Sequence, residues 1–152
     1  MGLLHVSINA GHPENVAGFL AEVMGGRALP FPPFPDCWIA FTERDDGTVI
    51  EVYPLTHTLR AGEAQIACDV GTPVVGRTFV HAAIASPLTR LRISELADAE
   101  GWLARTCNRG PFECVEVWLE NRLLVEVLDP AMQEDYRSGM TADKWAAMFG
   151  LS

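Results

Sequence analysis

The chain has 152 residues and is 49% apolar, enough to bury a core, so a disordered chain is excluded. Its formal charge is −9, from 11 Lys and Arg against 20 Asp and Glu, with no basic stripe to offset it, which excludes nucleic acid and anionic lipid as partners. No apolar run reaches the ~18 residues that cross a bilayer. MGLLHVSINAGHPEN also lacks the basic start of a leader, so the sequence predicts a cytoplasmic protein. Its cysteines, Cys37, Cys68, Cys107 and Cys114, are then expected as reduced thiols that pack as small hydrophobes.

The segment LLHVSINA (3–10) reads as an apolar strand bearing His5. Pro13 opens a helix over about 13–25, with Val16, Phe19, Leu20, Val23 and Met24 at helical spacing and Gly25-Gly26 at its end. A weak strand near 26–32 leads into the proline-rich loop FPPFP. CWIAFTER (37–44) and TVIEVYPL (48–55) read as a hairpin on an Asp46-Gly47 turn. A two-residue turn there sets Thr42 opposite Glu51, where its hydroxyl orients that carboxylate. Residues 56–76, with Gly62, Gly71, Pro73 and Gly76, read as a linker.

The pattern then begins again. FVHAAIAS (79–86) repeats the first strand with His81 in the place of His5. Ser94 caps a second helix whose apolar stripe is Leu96, Ala99, Leu103 and Cys107, stopped by Gly110-Pro111. A short strand is expected near 110–112. ECVEVWLE (113–120) and LLVEVLDP (123–130) form the second hairpin, on an Asn121-Arg122 turn. VEVLDP repeats VIEVYP, so Glu126 answers Glu51; the histidines are 76 residues apart and the glutamates 75. The expected organisation is a first βαβββ module at 1–55, a linker at 56–76, a second module at 77–130 and a tail at 131–152. The tail carries a short helix at 141–149, with Trp145, Met148 and Phe149 docking on the body.

Side chains alternate along a strand. His5 shares its face with Leu3, Ser7 and Asn9, and His81 with Phe79, Ala83 and Ala85. Glu51 shares its face with Val49 and Tyr53, and Glu126 with Leu124 and Leu128. A carboxylate among apolar neighbours must be paired, protonated or bound to a cation. Two imidazoles and two carboxylates at equivalent points of a duplicated unit can converge on one divalent ion, Zn, Ni, Co, Fe or Mn, with positions left open for water or substrate. Other polar groups read more plainly. Glu116 and Glu120 are expected in solvent, His12 as an exposed helix cap and His57 as a solvated linker residue. Tyr53 is open to two readings, cavity lining and core.

With His5, Glu51, His81 and Glu126 in that order on strands one, four, five and eight, residues 3–130 resemble the vicinal oxygen chelate superfamily, the glyoxalase/bleomycin-resistance/dioxygenase fold. Within it the chain looks most like glyoxalase I. The resemblance implies an α+β fold of two βαβββ modules forming a curved mixed sheet around a cup-shaped cavity. It also implies a homodimer, in which His5 and Glu51 face a second chain's His81 and Glu126. The implied chemistry is that of a metal-dependent lyase or isomerase on a small oxygen-chelating substrate, with proton transfer through an enediolate. Glu126 is the candidate base and Glu51 the second choice. The chemistry is physically sound without the analogy, since a divalent ion polarises a carbonyl and a carboxylate in a dry cavity has its basicity adjusted by burial and by the ion.

The sequence also departs from that family. Asn9 stands where glyoxalase I has an arginine that helps hold glutathione, which predicts weak or no turnover of methylglyoxal with glutathione. The usual DPDG hairpin before the last Glu is replaced by Glu120-Asn121-Arg122, and the loop at 30–35 and the tail are atypical. Two alternatives stand beside the lyase. One is an Fe-dependent extradiol-type dioxygenase, in which two His and one Glu suffice and a fourth ligand would take an open position. The other is a non-catalytic small-molecule binding or resistance protein of the same fold, a group that usually lacks the ligand set.

Overall fold

In the computed structural model, which describes residues 4–44, 46–63, 66–76, 78 and 80–151, the repeat becomes two units, 1–78 and 79–152. The first contains β1 (His5–Ala10), α1 (Pro13–Val23), β2 (Ala28–Pro30), β3 (Trp38–Phe41) and β4 (Val49–Pro54). The strands lie in the order β1-β4-β3-β2. The β1/β4 pair is parallel and the others are antiparallel, as a helical crossover between β1 and its neighbours allows. Pro13 sits in the first turn of α1, where its missing N–H costs nothing. The apolar spacing buries Val16, Ala17, Leu20 and Val23 at 0% exposure, and α1 packs on β3 and β4. Burying Leu20 or Val23 in this way contributes about 1.5–3 kcal/mol each.

The second unit repeats this plan with β7 (Ala82–Ala85), α2 (Arg90–Ala99), β8 (Ala104–Asn108), β9 (Glu113–Leu119) and β10 (Leu123–Leu128), in the order β7-β10-β9-β8. Here β7 and β10 are parallel, and the other pairs are antiparallel. Val115, Val117, Val125 and Val127 line one face, and Ile93 and Ala97 are the buried residues of α2, which packs on β8 and β9. The architecture is the expected α+β arrangement of two βαβββ units. Leu3 and Phe79, read as sharing faces with the two histidines, lie outside the described residues.

Several local expectations fail for identifiable reasons. Thr89, not Ser94, caps α2 by accepting from the Arg92 N–H at 3.3 Å, while Ser94 bonds back to the Arg90 carbonyl. The helix stops at Ala99, because Gly101 turns left-handed (φ 72°) and residues 104–108 pair with β9. Cys107 is therefore a strand residue opposite Cys114, and the third strand of the module is β8 rather than 110–112. In the second hairpin the left-handed residues are Glu120 and Asn121, not Asn121 and Arg122. Asn121 also ties the loop to the α2–β8 junction, accepting from the Leu103 N–H at 2.8 Å and donating to the Gly101 carbonyl at 3.1 Å. In the first hairpin Phe41 pairs with Val49, so residues 42–48 form a longer loop than two residues, and Ile39 rather than Thr42 faces Glu51. The Thr42 hydroxyl oxygen is buried and has no hydrogen-bond partner among the described residues.

Residues 56–76 contain a hairpin of β5 (His57–Ala61) and β6 (Ile66–Val70). After β10 come α3 (Pro130–Gly139), capped by the Asp129 carboxylate, and α4 (Ala142–Phe149). The Trp145 and Phe149 rings meet at 4.8 Å, tilted by 51°, but α4 buries no residue, so the expected docking of Trp145, Met148 and Phe149 is not observed. Among the described residues no helix is long and apolar enough to cross a membrane.

Candidate functional site

In the first unit, the sheet face opposite Ile50 and Val52 carries His5, Ser7, Glu51 and Tyr53. Ser7 is the register partner of Glu51, and His5 lies two residues earlier on the same face, at the exposed start of β1. The Ser7 hydroxyl donates to Glu51 Oε2 at 2.8 Å, and the Tyr53 hydroxyl donates to the same oxygen at 3.0 Å. Burial, together with the bond to Glu51, pushes the Tyr53 hydroxyl above its usual range, so it stays a donor at physiological pH. Oε1 of Glu51 receives no hydrogen bond from the described residues. One oxygen is thus held by hydroxyls while the other is available to a cation, and such outer hydrogen bonds are what orient a metal-binding carboxylate.

Beside Glu51 lies a cavity of about 380 Å3, walled by Ser7, Tyr53, His57, Ile8, Leu59 and Val74 among others. Tyr53 is 7% exposed and meets the rings of Phe31 and Phe34 at 6.1 and 5.7 Å. The proline-rich loop therefore supplies aromatic backing to this face. His57 begins β5, is buried and shares a hydrogen bond with the Thr56 hydroxyl through Nδ1, 3.2 Å away. The Asn9 amide donates to the carbonyls of Pro54 and His57 at 2.9 and 3.0 Å, which fixes the start of β5 against the end of β1.

In the second unit Glu126 pairs in register with Ala83 on one side and Glu116 on the other. Two carboxylates that close need cations. Arg109 reaches both, with Nη2 2.5 Å from Glu116 Oε1 and Nε 2.8 Å from Glu126 Oε1, and Arg105 Nε donates to Glu116 Oε2 at 2.7 Å. Burial alone would raise the Glu116 carboxyl, but the guanidinium hydrogen bonds from Arg109 and Arg105 outweigh it and hold it down at about 2. Glu126 keeps Oε2 unbonded by the described residues. His81 is exposed, just before β7.

No protein-family model matches the chain, and no curated protein matches it. Solved structures do. A glyoxalase family protein from Bacillus anthracis is 15% identical with a TM-score of 0.54, over 84% of this chain and 93% of that one. The fosfomycin resistance protein FosX from Listeria monocytogenes is 14% identical with a TM-score of 0.54, over 90% and 97%. A lactoylglutathione lyase from Agrobacterium tumefaciens is 11% identical with a TM-score of 0.54, over 83% and 91%. This is the glyoxalase-type fold. A variant of the Listeria FosX, with a TM-score of 0.50 to this chain, was crystallised with Mn(II) and 1S,2S-dihydroxypropylphosphonic acid.

Within this glyoxalase-type fold the four expected ligands fall in two pairs, His5 with Glu51 in the first unit and His81 with Glu126 in the second. In each pair the residue two after the histidine is the register partner of the glutamate. Imidazole nitrogens and carboxylate oxygens suit the divalent ions named above. Among the described residues no group of three or more His, Cys, Asp or Glu comes together to hold a metal. Sequence reasoning missed Glu116 and His57, both expected in solvent and both buried. It also missed Arg105 and Arg109. The signal was present, because the alternation of ECVEVWLE puts Glu116 on one face with Cys114 and Trp118, and ARTCNR puts two arginines four residues apart on one face of a strand.

Proposed function

We propose that the chain is a metal-dependent enzyme of the glyoxalase-like type, a lyase or isomerase that moves a proton beside a carbonyl on a small substrate with two neighbouring oxygens. The observation that carries the proposal is the repeated diagonal: Ser7 faces Glu51 two residues after His5, and Ala83 faces Glu126 two residues after His81. Two copies of one histidine–glutamate geometry make a matched set of donors. In this reading His5, Glu51, His81 and Glu126 hold one divalent ion, in a cytoplasmic homodimer whose first and second modules meet within a chain or across two chains. The ion, when bound, supplies Lewis-acid polarisation of the substrate carbonyl. Ser7 and Tyr53 keep Glu51 in its ligand orientation. Arg109 fixes Glu126 Oε1, so Oε2 is the one oxygen Glu126 offers, to the ion at rest and to the proton when substrate oxygens take its place; Glu51 is the second choice of base. Mn(II) and a dihydroxylated phosphonate in the FosX variant support a small oxygenated ligand.

Metal analysis of protein purified without added metal, followed by Mn(II) and Ni(II) titration, tests the proposal. His5→Ala, Glu51→Gln, His81→Ala and Glu126→Gln should each lose most of the uptake, and Tyr53→Phe should weaken it about tenfold by releasing Glu51. Parent protein that takes up neither ion, or four ligand variants that bind like the parent, would overturn the proposal. Methylglyoxal with glutathione is expected to turn over weakly, since Asn9 replaces the family's arginine and is committed to two backbone carbonyls. The Arg109–Glu126 ion pair favours a second reading, a non-catalytic binding protein in which the guanidinium takes the place of a cation. Metal uptake that appears only in Arg109→Met would select it.

A further inference from the structure

Resting on the chelating site just described, we propose that the substrate carries an aromatic or similarly flat apolar group next to its two oxygens. This group lies in the first-unit cavity against Tyr53, His57, Leu59 and Val74. The cavity, about 380 Å3, falls within the ~300–1,000 Å3 typical of small-molecule sites. It starts where the chelating face ends. Ser7 and Tyr53, the two donors to Glu51, are also two of its walls. A ligand bonded at Glu51 therefore extends directly into it.

Ile8, Leu59 and Val74 make part of the wall apolar. Leu59 and Val74 are 54% and 61% exposed, a costly state for branched aliphatic side chains that a bound ring would relieve. The described lining residues include no Asp, Glu, Lys or Arg, so the group taken here is uncharged and any charge belongs at the Glu51 end. Tyr53 is braced by Phe31 and Phe34, and His57 lies 6.4 Å from it at 49°. A braced ring loses little freedom on binding and favours offset or edge contacts with a second ring.

Mandelate and lactate test this directly. They share a hydroxyl and a carboxylate on adjacent carbons and differ only in phenyl for methyl. Calorimetric titration of the Mn(II)-loaded protein should give mandelate about tenfold or more tighter binding than lactate, from the apolar area the ring buries. Leu59→Ser and Val74→Ser, both at exposed positions, remove apolar wall without adding charge and should bring the two ligands within about twofold while leaving Mn(II) affinity unchanged. In metal-free protein, mandelate at high concentration should still shift the backbone amides of Thr58, Leu59 and Val74, and lactate should not. Equal affinities, a preference that survives both variants, or absent amide shifts would overturn the inference. So would masking of those amides by self-association, which would assign the surface to a second copy of the chain. Amide shifts in protein that takes up no Mn(II) would support the cavity and remove the metal reading, so the two failures are distinguishable.

Discussion

Arg109→Met removes the guanidinium that joins Glu116 to Glu126 in the second unit. Arg109 lies 2.5 and 2.8 Å from the two carboxylates, whose side chains are only 7% and 9% exposed. Without it Glu116 keeps Arg105, and Glu126 keeps no cationic partner among the described residues. A charge pair ~4 Å apart is worth about 4 kcal/mol at an effective dielectric of 20, and stranding one partner of a buried pair costs about 3–5 kcal/mol. Arg109 is itself 32% exposed, so water screens part of this; the expected loss is about 2–3 kcal/mol at pH 7.5. The sign with pH follows from Glu116. Its carboxyl, held at about 2 against an ordinary 4.5, contributes stability that is fully present above 4.5 and lost as pH falls through 2. In the variant Glu116 loses the guanidinium of Arg109, one of the two that hold it down, and binds protons more readily, so the gap to the parent should narrow from pH 7.5 to pH 5. Urea unfolding followed by tryptophan fluorescence measures both numbers, and adding Glu116→Gln should recover part of the loss. A destabilisation under about 1 kcal/mol, or one equally large at both pH values, would refute this reasoning.

Gly26→Ala should cost about 3 kcal/mol or more, or abolish soluble expression, because the new methyl would overlap the Phe41 carbonyl oxygen, which is backbone and cannot rotate away. Gly71→Ala, with nothing within 4 Å, is the control and should stay within about 0.5 kcal/mol of the parent by the same measurement. With Ellman's reagent at pH 8, Cys68 and Cys107 should react promptly. Cys37 and Cys114, buried and pushed up chiefly by burial to about 11 and about 12, should wait for denaturant; four equally fast thiols would contradict the burial.

Periodicity and duplication made much of the fold legible in the residues alone. The repeated His and Glu strands, the Pro13 helix start, the pairing of 113–119 with 123–128 and the α+β order could all be read because a strand repeats every two residues and a helix every 3.6. Alternation also fixes which side chains share a face, so His5 groups with Ser7, and Glu51 with Tyr53, from their spacing; the β1/β4 register then joins the two sets. Loop length and helix ends were harder, since they depend on a competition between local propensity and pairing. The Asp46-Gly47 signal did not outweigh the register in which Phe41 meets Val49, and residues 104–108 joined β9 rather than extend a helix past Gly101. The partnering of charges was settled by the folded arrangement alone. Glu116 reads as a solvated strand residue until β8, β9 and β10 are laid side by side, when two arginines and a second carboxylate surround it. His57 reads as linker until the Asn9 amide draws its backbone toward the sheet end. Periodicity is a property of one segment, whereas ion pairing and cavity walls depend on distances between segments, and those exist only once the chain has folded.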